Sequence, residues 1–337
     1  MNDTEIDTLI IDAIKNNKIA KQKPQTEPKP SSIKIYKEQL KRLYTIVNTE
    51  TEITMEGISK IITNFVHIKK MLDKSESDYS DNTKKNYINN VLNIILYITD
   101  IDKYHKLKPA KLNKITDAIF QYWQELVDKV NNKNLENTKD PKTHIESEDF
   151  TKVIKEMRKN IDKSAIDKNT LQDFILLLLY QGKNIAPLRN DYATLHIIGP
   201  EESLLSSENY LINYDNGKNE ILINSDKVDK KMGSCKYKIN KSSILNKYLN
   251  KLLDIRKSED KDYLLENSEN ERLSCNGLTK LLQKIFKLHF GKKLSSSNLR
   301  HIYISNLSPE LTNKKLDKIA SSMRHSLSTQ QNIYKKV

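Results

Sequence analysis

The stretches "SSSNLRHIYISNL" (295–307) and "RHSLSTQQNIY" (324–334) combine charged, hydroxyl and aromatic residues near the C-terminal end of the chain. Ser297, Arg300 and His301 are spaced so that on a helix they share one face. In the second stretch, His325 precedes Tyr334 by nine positions. Alone, such an end is compatible with an amphipathic helix that packs Tyr334 into a core, or with the reactive end of an enzyme. The rest of the chain has to decide between them.

The charge of the chain favours a polyanionic partner. Its 337 residues include 57 Lys and Arg against 44 Asp and Glu, which gives a net charge of +13, and the pI is near 9.3. Nucleic acid is the usual partner of so basic a protein. A Lys- and Asn-rich composition inherited from an AT-rich genome would raise the charge without any ligand, so charge alone does not decide.

Several classes of protein are disfavoured by the sequence. The mean hydropathy is −0.68, and the longest apolar run, "FILLLLY" (174–180), suits one buried helix and not a membrane span. The acidic start "MNDTEID" resembles neither a secretory signal nor a transit peptide. Two cysteines, Cys235 and Cys275, are too few for a disulfide framework or a cysteine-based zinc site. We therefore expect an intracellular protein without a membrane segment.

Composition divides the chain into three segments. Residues 3–16 could form a short helix, but the proline-rich "KQKPQTEPKPSS" that follows is typical of an extended linker, so 1–31 is expected to be a flexible N-terminal segment. Regular helical spacing then predicts a helical domain over 32–137. The polar break "NNKNLENTKDPKTHIESED" separates it from a second domain, 138–337.

Lysines on two predicted helices of the first domain are candidates for DNA binding. One set shares a helix face opposite the apolar one. The other lies in the first turn of a helix expected to begin at Thr83, where unpaired N–H groups and the helix dipole favour phosphate. For each lysine the alternative is a solvated helix face. The candidates are Lys34, Lys37 and Lys41 on the first helix, and Thr83, Lys84 and Lys85 on the second.

The second domain begins with helices and then alternates. Helical spacing covers 148–160 and 169–181, after which "NYLINYDNGKNEILINSDK" predicts a hairpin that turns at Asp215-Asn216-Gly217. A third strand is expected at 235–240, and helices continue from Ser242. The predicted fold class is mainly α with a small antiparallel β-sheet in the C-terminal domain.

Familiar metal and nucleotide motifs are missing from the sequence. It has only 7 glycines and no glycine-rich phosphate loop, no HExxH helix and no carboxylate cluster of the two-metal kind. We therefore expect no metal and no cofactor. If the protein acts on phosphodiesters, cationic and nucleophilic side chains must do the chemistry.

The order of such residues along the chain resembles the tyrosine recombinase (phage-integrase-like) family. "LRHIYISNL" is similar to that family's "LRHTFATHL" box, and "RHSLSTQQNIY" is similar to its "GHSSISTTQIY" box, with the usual spacing from His325 to Tyr334. The motifs cover about 140–337, whereas 32–131 matches only in kind, as a helical core DNA-binding domain. The Lys-, Asn- and Ile-rich composition also looks like integrases of large DNA viruses and mobile elements, which is a weaker association.

The resemblance implies a role for each residue. Cleaving a phosphodiester without a metal needs a nucleophile, an acid for the leaving oxygen, and cations that hold the charge of the transition state. Arginine suits the last task because its paired donors do not deprotonate. The roles implied are nucleophile for Tyr334, phosphate clamp for Arg189, Arg300 and His325, and general acid for Lys227, with Lys230 as its rival in the turn "NSDKVDKKMG".

Two features depart from the family pattern. Ser297 stands where the His-x-x-Arg box has histidine, which in the family assists the tyrosine as a base. Our hypothesis is that Ser297 only hydrogen-bonds phosphate and that Tyr334 loses its proton to water or to His301. The second departure is "GPEESLLSSEN" (199–209), which looks like an inserted loop.

The expected activity is site-specific cutting and rejoining of DNA through a 3′-phosphotyrosyl intermediate. The resemblance implies double-stranded DNA as partner and a homotetramer on paired sites, in the nucleus or cytoplasm wherever the target DNA resides. Only three residues follow Tyr334 in the sequence, so we expect contacts between protomers to come from elsewhere. Three alternatives remain: a type IB topoisomerase-like activity, a hairpin resolvase, and a catalytically decayed DNA-binding protein.

Overall fold

The computed structural model describes residues 1–20, 27–48, 52–74, 79–97, 109–135, 142–163, 167–226, 228, 232–308 and 310–330. The chain forms two compact units, Met1–Glu136 and Asn137–Val337. The assignment of these units to DNA binding and to catalysis remains a prediction. Within the described ranges no helix is both long and apolar enough to cross a membrane.

The first unit is built from helices around one apolar core. Pro30 occupies the first turn of α2, where its missing N–H costs nothing, and the Thr54 hydroxyl caps α3 by accepting from the Gly57 N–H at 3.0 Å. Leu40, Leu43 and Ile58 belong to the buried set. The helices are α1 (Asp3–Ala20), α2 (Pro30–Val47), α3 (Met55–Thr63), α4 (Phe65–Lys74), α5 (Asp81–Tyr97) and α6 (Pro109–Leu135).

The N-terminal segment differs from its sequence-based expectation. The expectation of a flexible arm is wrong for residues 3–20, because α1 places Ile6, Leu9, Ile10 and Ala13 in the buried core of this unit. The apolar residues of α1 recur at helical spacing and so give one face that the neighbouring helices cover. The proline-rich residues 21–26 lie outside the described ranges.

The second unit surrounds a four-stranded sheet with helices. Its core includes the run Phe174–Tyr180 on α8, in which every residue is buried. The helices are α7 (Ser147–Ile161), α8 (Lys168–Gln181), α9 (Ile244–Ser258), α10 (Cys275–Phe290), α11 (Ser296–Ser305), α12 (Asn313–Ser322) and the short turn α13 (Leu327–Thr329). The strands are β1 (Leu195–Ile198), β2 (Asn209–Asn213), β3 (Asn219–Ile223) and β4 (Cys235–Lys238).

The fold class is confirmed as mainly helical with a small sheet, but the sheet is mixed and not purely antiparallel. Strands β2, β3 and β4 pair antiparallel as expected, with Leu211 opposite Ile221 and Ile221 opposite Tyr237. Strand β1 was not predicted, and it pairs parallel to β2, with Leu195 beside Asn209. A parallel neighbour requires a crossover connection, and the residues between β1 and β2 provide it in the stretch interpreted as an inserted loop.

A buried ion pair joins helix α9 to the segment that follows it in the second unit. Arg256 of α9 lies 2.8 Å from Glu266, and both side chains are 1% exposed. The Arg256 Nε also donates to the Leu264 carbonyl at 3.1 Å. Here a buried cation has a carboxylate beside it as its counter-charge, without any ligand.

Candidate active site

Helix α11 brings Arg300 into the interior of the second unit. The Ser295 hydroxyl and the Asn298 side chain form a reciprocal capping box, so the helix begins at Ser296. Arg300 follows one turn later and its residue is 0% exposed. The cap thus sets which turn of the sequence "SSSNLRH" faces inward.

The Arg300 guanidinium connects three segments that are far apart in sequence. Its Nη1 donates to the Pro187 carbonyl at 2.7 Å, and its Nη2 donates to the Met323 carbonyl at 2.9 Å. Nη2 also lies 2.8 Å from Nδ1 of His325. Because guanidinium nitrogens only donate, Nδ1 of His325 must be the acceptor in this contact.

This contact fixes the protonation of His325. With Nδ1 accepting, the neutral ring carries its proton on Nε2, which lies 3.4 Å from Oε1 of Gln330. Burial and the neighbouring Arg300 guanidinium lower the pKa of His325 to about 4. At neutral pH the ring is therefore uncharged and presents Nε2–H as a donor.

Arg189 lies two residues after Pro187, whose carbonyl accepts from Arg300, and it is more accessible than Arg300. The chain leaves α8 through Gly182, whose φ of 79° favours glycine, and the Tyr180 hydroxyl donates to the Arg189 carbonyl at 2.6 Å. The Arg189 side chain is partly exposed, and among the described residues it makes no hydrogen bond or salt bridge. After burial and Arg300, its charge is a further cause of the lowered pKa of His325.

Sequence reasoning missed a buried salt bridge beside these residues. Nε and Nη2 of Arg324 both donate to the carboxylate of Asp226, and both side chains are 2% exposed. Burial alone would raise the pKa of Asp226, but the hydrogen bond from Arg324 and the N–H of Val228 lower it. The sequence signal for Arg324 is its position in "MRHS", where the family box quoted above has glycine.

Three candidate residues cannot be located. Lys227, Lys230 and Tyr334 lie outside the described residues. Their roles stay predictions. Two described residues near them in sequence do contact the site. Asp226, which precedes Lys227, pairs with Arg324. Gln330, four positions before Tyr334, lies 3.4 Å from the Nε2 of His325.

The two accessory candidates on α11 occupy different environments. Ser297 is exposed and makes no hydrogen bond among the described residues, whereas His301 is partly buried. Both share helix α11 with Arg300. The hypotheses for Ser297 and His301 therefore stay open.

The predicted DNA-binding lysines of the first unit fall into two groups. Lys37 lies 2.7 Å from Asp7, and Lys41 lies 3.0 Å from Asp3, so carboxylates of α1 pair with both. Lys34 is exposed and Lys85 is partly exposed, and neither has a salt-bridge partner among the described residues. DNA binding by these lysines remains a prediction.

At the start of α5, Thr83 and Lys84 have partners within the protein. The helix begins at Asp81, and the Ser80 hydroxyl accepts from the Thr83 N–H at 3.2 Å, so that backbone donor is already satisfied. Lys84 is 8% exposed and pairs with Asp73 at 3.5 Å. A buried, paired lysine is poorly placed to hold a phosphate. The helix begins two residues before the predicted start.

Comparisons with known proteins add little to this geometry. No protein-family model matches the chain, and no curated protein matches its sequence. Among solved structures, XerA recombinase matches with 15% identity and a TM-score of 0.39, over 100% of this chain and 94% of that chain. A TM-score this low does not establish a common fold, so the likeness supports neither a family nor a function.

The chemistry open to the cluster follows from its donors. Arg189 is a partly exposed donor, His325 is a buried ring that carries its proton on Nε2, and Arg300 adds a buried positive charge beside that ring. Within the described ranges, no group of three or more His, Cys, Asp or Glu side chains could hold a metal ion. Such an arrangement suits an anion, and guanidinium donors fit the oxygens of a phosphate in particular.

Proposed function

We propose that the chain is a site-specific DNA recombinase that cuts and rejoins strands through a 3′-phosphotyrosyl intermediate at Tyr334. The observation that carries the proposal is the convergence of Arg189, Arg300 and His325. Arg300 bonds both to the carbonyl of Pro187, 113 positions away, and to His325, 25 positions away. Motifs that match the family boxes in order along the sequence thus meet at one point in space.

The proposed reaction balances without an external reagent. The Tyr334 oxygen forms a bond to phosphorus, the bond from phosphorus to the 5′-oxygen breaks, and that oxygen takes a proton from Lys227 or Lys230. The proton of the tyrosine goes to water or to His301. A 5′-hydroxyl of a partner strand then reverses the step and releases Tyr334. Preorganised donors of this kind each contribute on the order of 3 kcal/mol to such transition states.

The two arginines have different proposed tasks. Arg189 reaches solvent and so is the donor that we expect to meet a nonbridging phosphate oxygen directly. Arg300 orients the His325 ring by donating to Nδ1, so that the ring proton lies on Nε2, and its charge acts on the phosphate. Desolvation strengthens this effect because a low local dielectric weakens screening.

The partner and assembly follow the same resemblance. The proposed partner is double-stranded DNA, bound by the basic second unit together with the helical first unit. Strand exchange requires four protomers on two paired sites, whereas a type IB topoisomerase-like activity or a hairpin resolvase would use the same residues without exchanging partners. The place of action is wherever that DNA resides, in nucleus or cytoplasm.

Covalent trapping tests the proposal. The protein is incubated in EDTA with a library of nicked duplexes of random sequence, in which loss of a short strand prevents religation. We expect a protein–DNA band that resists denaturation, and sequencing of the captured DNA would give the target site. Tyr334→Phe should abolish the band, whereas Tyr303→Phe, which removes a hydroxyl of another tyrosine of the second unit, should retain it.

One observation favours a second candidate. Ser297 replaces the histidine of the family box and is exposed, which suits a decayed protein that binds DNA without cutting it. Such a protein would bind with steep salt dependence and give no covalent band on any member of the library. Relaxation of a supercoiled plasmid by a protein that does form the band would instead favour the topoisomerase-like activity.

A further inference from the structure

Arg324 adopts a backbone conformation that its residue type disfavours. Its φ is 57°, and the other described non-glycine residues with positive φ are Asp260 and Asn270. Asp and Asn tolerate the left-handed region because their short side chains bond locally, whereas a long side chain has no such compensation. A residue held in this conformation is fixed by its surroundings.

The side chain of Arg324 offsets this cost by tertiary contacts, because it bonds both to Asp226 and to Gly233. Nε and Nη2 donate to the two carboxylate oxygens of Asp226, and Nη2 donates to the Gly233 carbonyl at 2.7 Å. Asp226 in turn accepts from the N–H of Val228 at 2.9 Å. One guanidinium therefore holds both Asp226 and Gly233, between which the lysine-rich part of the sequence runs.

The backbone on either side of Arg324 belongs to the Arg300 cluster. The carbonyl of Met323 accepts from Arg300 at 2.9 Å, and the ring of His325 lies 2.8 Å from the same nitrogen. The Tyr237 hydroxyl of β4 donates to the Ser322 carbonyl at 2.7 Å. Residues 322–325 thus bond to Tyr237 of the sheet, to Asp226 and Gly233, and to Arg300.

We propose that Arg324 is a positioning residue that fixes Asp226 and Gly233 relative to the Arg300–His325 pair. It does not touch the substrate. Resting on the proposed function, its task is to hold the lysine that protonates the leaving 5′-oxygen in register with the phosphate clamp. Because Lys227 is bonded to Asp226 in the chain, loss of the Arg324–Asp226 pair should affect leaving-group protonation more than it affects the clamp.

A substrate with a sulfur in place of the bridging 5′-oxygen separates these two effects. A thiol has a pKa of about 8.5, far below that of an alcohol, so a thiolate leaves without an acid. We expect Arg324→Gly to slow covalent adduct formation on the ordinary phosphate by about 100-fold, the scale of general-acid catalysis. On the sulfur substrate the same variant should lie within a factor of about three of the unaltered protein.

Arg324→Gly is the informative variant because it removes the side chain and also relieves the left-handed backbone. Asp226→Asn, which keeps an oxygen for Val228, is the second variant and should show the same selective loss. Arg256→Ala breaks a buried pair of similar exposure elsewhere in the unit, and the folded variant should cut both substrates normally. Equal slowing of both substrates in Arg324→Gly, or no slowing at all, would overturn the positioning role.

A second readout does not depend on catalysis. Limited trypsin digestion reports local opening at lysines, and loss of the tie should speed cleavage after Lys227, Lys230 or Lys231 by about tenfold in Arg324→Gly relative to Arg256→Ala. Unchanged cleavage there would refute the tie whether or not the protein cuts DNA. If the unaltered protein forms no adduct on either substrate, the proposed function fails, and the trypsin result alone decides the structural claim.

Discussion

The lysines singled out in the first unit and the arginines singled out in the second carry the same charge but have different neighbours. Lys37, Lys41 and Lys84 each pair with an aspartate. Arg300, in contrast, donates to two backbone carbonyls and to His325. A carboxylate cancels most of a cation's field at a distance, whereas a neutral acceptor leaves that field in place.

The difference teaches how to rank basic residues as phosphate ligands. Sequence spacing does not distinguish paired lysines from unpaired ones, yet the attraction of a lysine for DNA depends on whether a carboxylate already contacts it. Arg189, partly exposed and without a salt bridge among the described residues, is the better candidate by this criterion. The comparison can be broken by changing either the arginine cluster or the carboxylates that pair with the lysines.

The largest effect is expected for Arg300→Ala. The substitution leaves two buried carbonyls without their donor and frees the His325 ring, so unfolding in urea should be easier by about 2–4 kcal/mol. Adduct formation on a trapping substrate should fall by about 1,000-fold, because an oriented donor and a fixed charge are lost together. Arg300→Lys should recover stability in part but little activity, since an ammonium cannot keep all three contacts.

Arg256→Ala serves as the matched control for that experiment. Arg256 is also fully buried, but it contacts Glu266 and lies outside the candidate site. Its loss should lower stability by a similar amount while the variant that remains folded cuts DNA normally. A proportionate loss of cutting in both variants would mean that Arg300 acts only through stability.

The next largest effect concerns pH. The pKa of His325 is lowered to about 4, from an ordinary value of 6.5, by burial and by Arg300. Between pH 6.5 and pH 4, His325 is therefore protonated in the unfolded chain but neutral in the folded one. The free energy of unfolding falls as the pH drops through this range. At most about 3 kcal/mol is lost in this way, and His325→Gln should remove that loss from the stability curve.

Two other groups titrate in the same range and have to be separated. Burial also lowers the pKa of His289, so His289→Gln is the control and should remove a smaller part. Burial raises the pKa of Asp173 to about 6, which acts with the opposite sign but is common to all variants and cancels in their difference. An identical pH curve for His325→Gln and the unaltered protein would contradict the buried neutral ring.

Much of the fold followed from sequence because it depends on local patterns. The hairpin at Asp215-Asn216-Gly217 is determined by neighbouring residues. Strand β1 was missed because its four residues carry no turn signal and its pairing with β2 is parallel. The burial of α1 was missed because composition drew attention to the prolines after it.

The candidate site was predictable only in part. The family boxes identified Arg300 and His325, whose contact the structure then revealed. Asp226 and Gln330 were missed, since their value comes from tertiary partners, Arg324 and the His325 ring, and no spacing rule links them in sequence. The pairing of Lys84 with Asp73 was not predicted, because it joins two helices that sequence treats separately.

A smaller effect should follow from releasing Lys37. Asp7→Asn removes the nearer of its two carboxylate partners, at 2.7 Å, and leaves Asp3 at 3.9 Å. The partly unmasked lysine on α2 should raise affinity for duplex DNA by about threefold and steepen the salt dependence by up to about one unit. Asp12→Asn, which changes the net charge equally on the same helix, should do less. If the two variants bind alike over a salt series, α1 does not mask a DNA-binding face.

The smallest effect is expected at α5 and sharpens the comparison most directly. Lys84→Met and Lys85→Met each remove one positive charge at neighbouring positions, but Lys84 is buried against Asp73 whereas Lys85 is partly exposed. Lys84→Met should lower stability by about 1 kcal/mol and leave the salt slope of DNA binding unchanged. Lys85→Met should leave stability unchanged and, if this end of α5 meets phosphate, reduce the slope by about one unit. The reverse pattern would mean that burial and pairing in the free protein do not decide which lysines meet DNA, and the contrast drawn between the two units would fail with it.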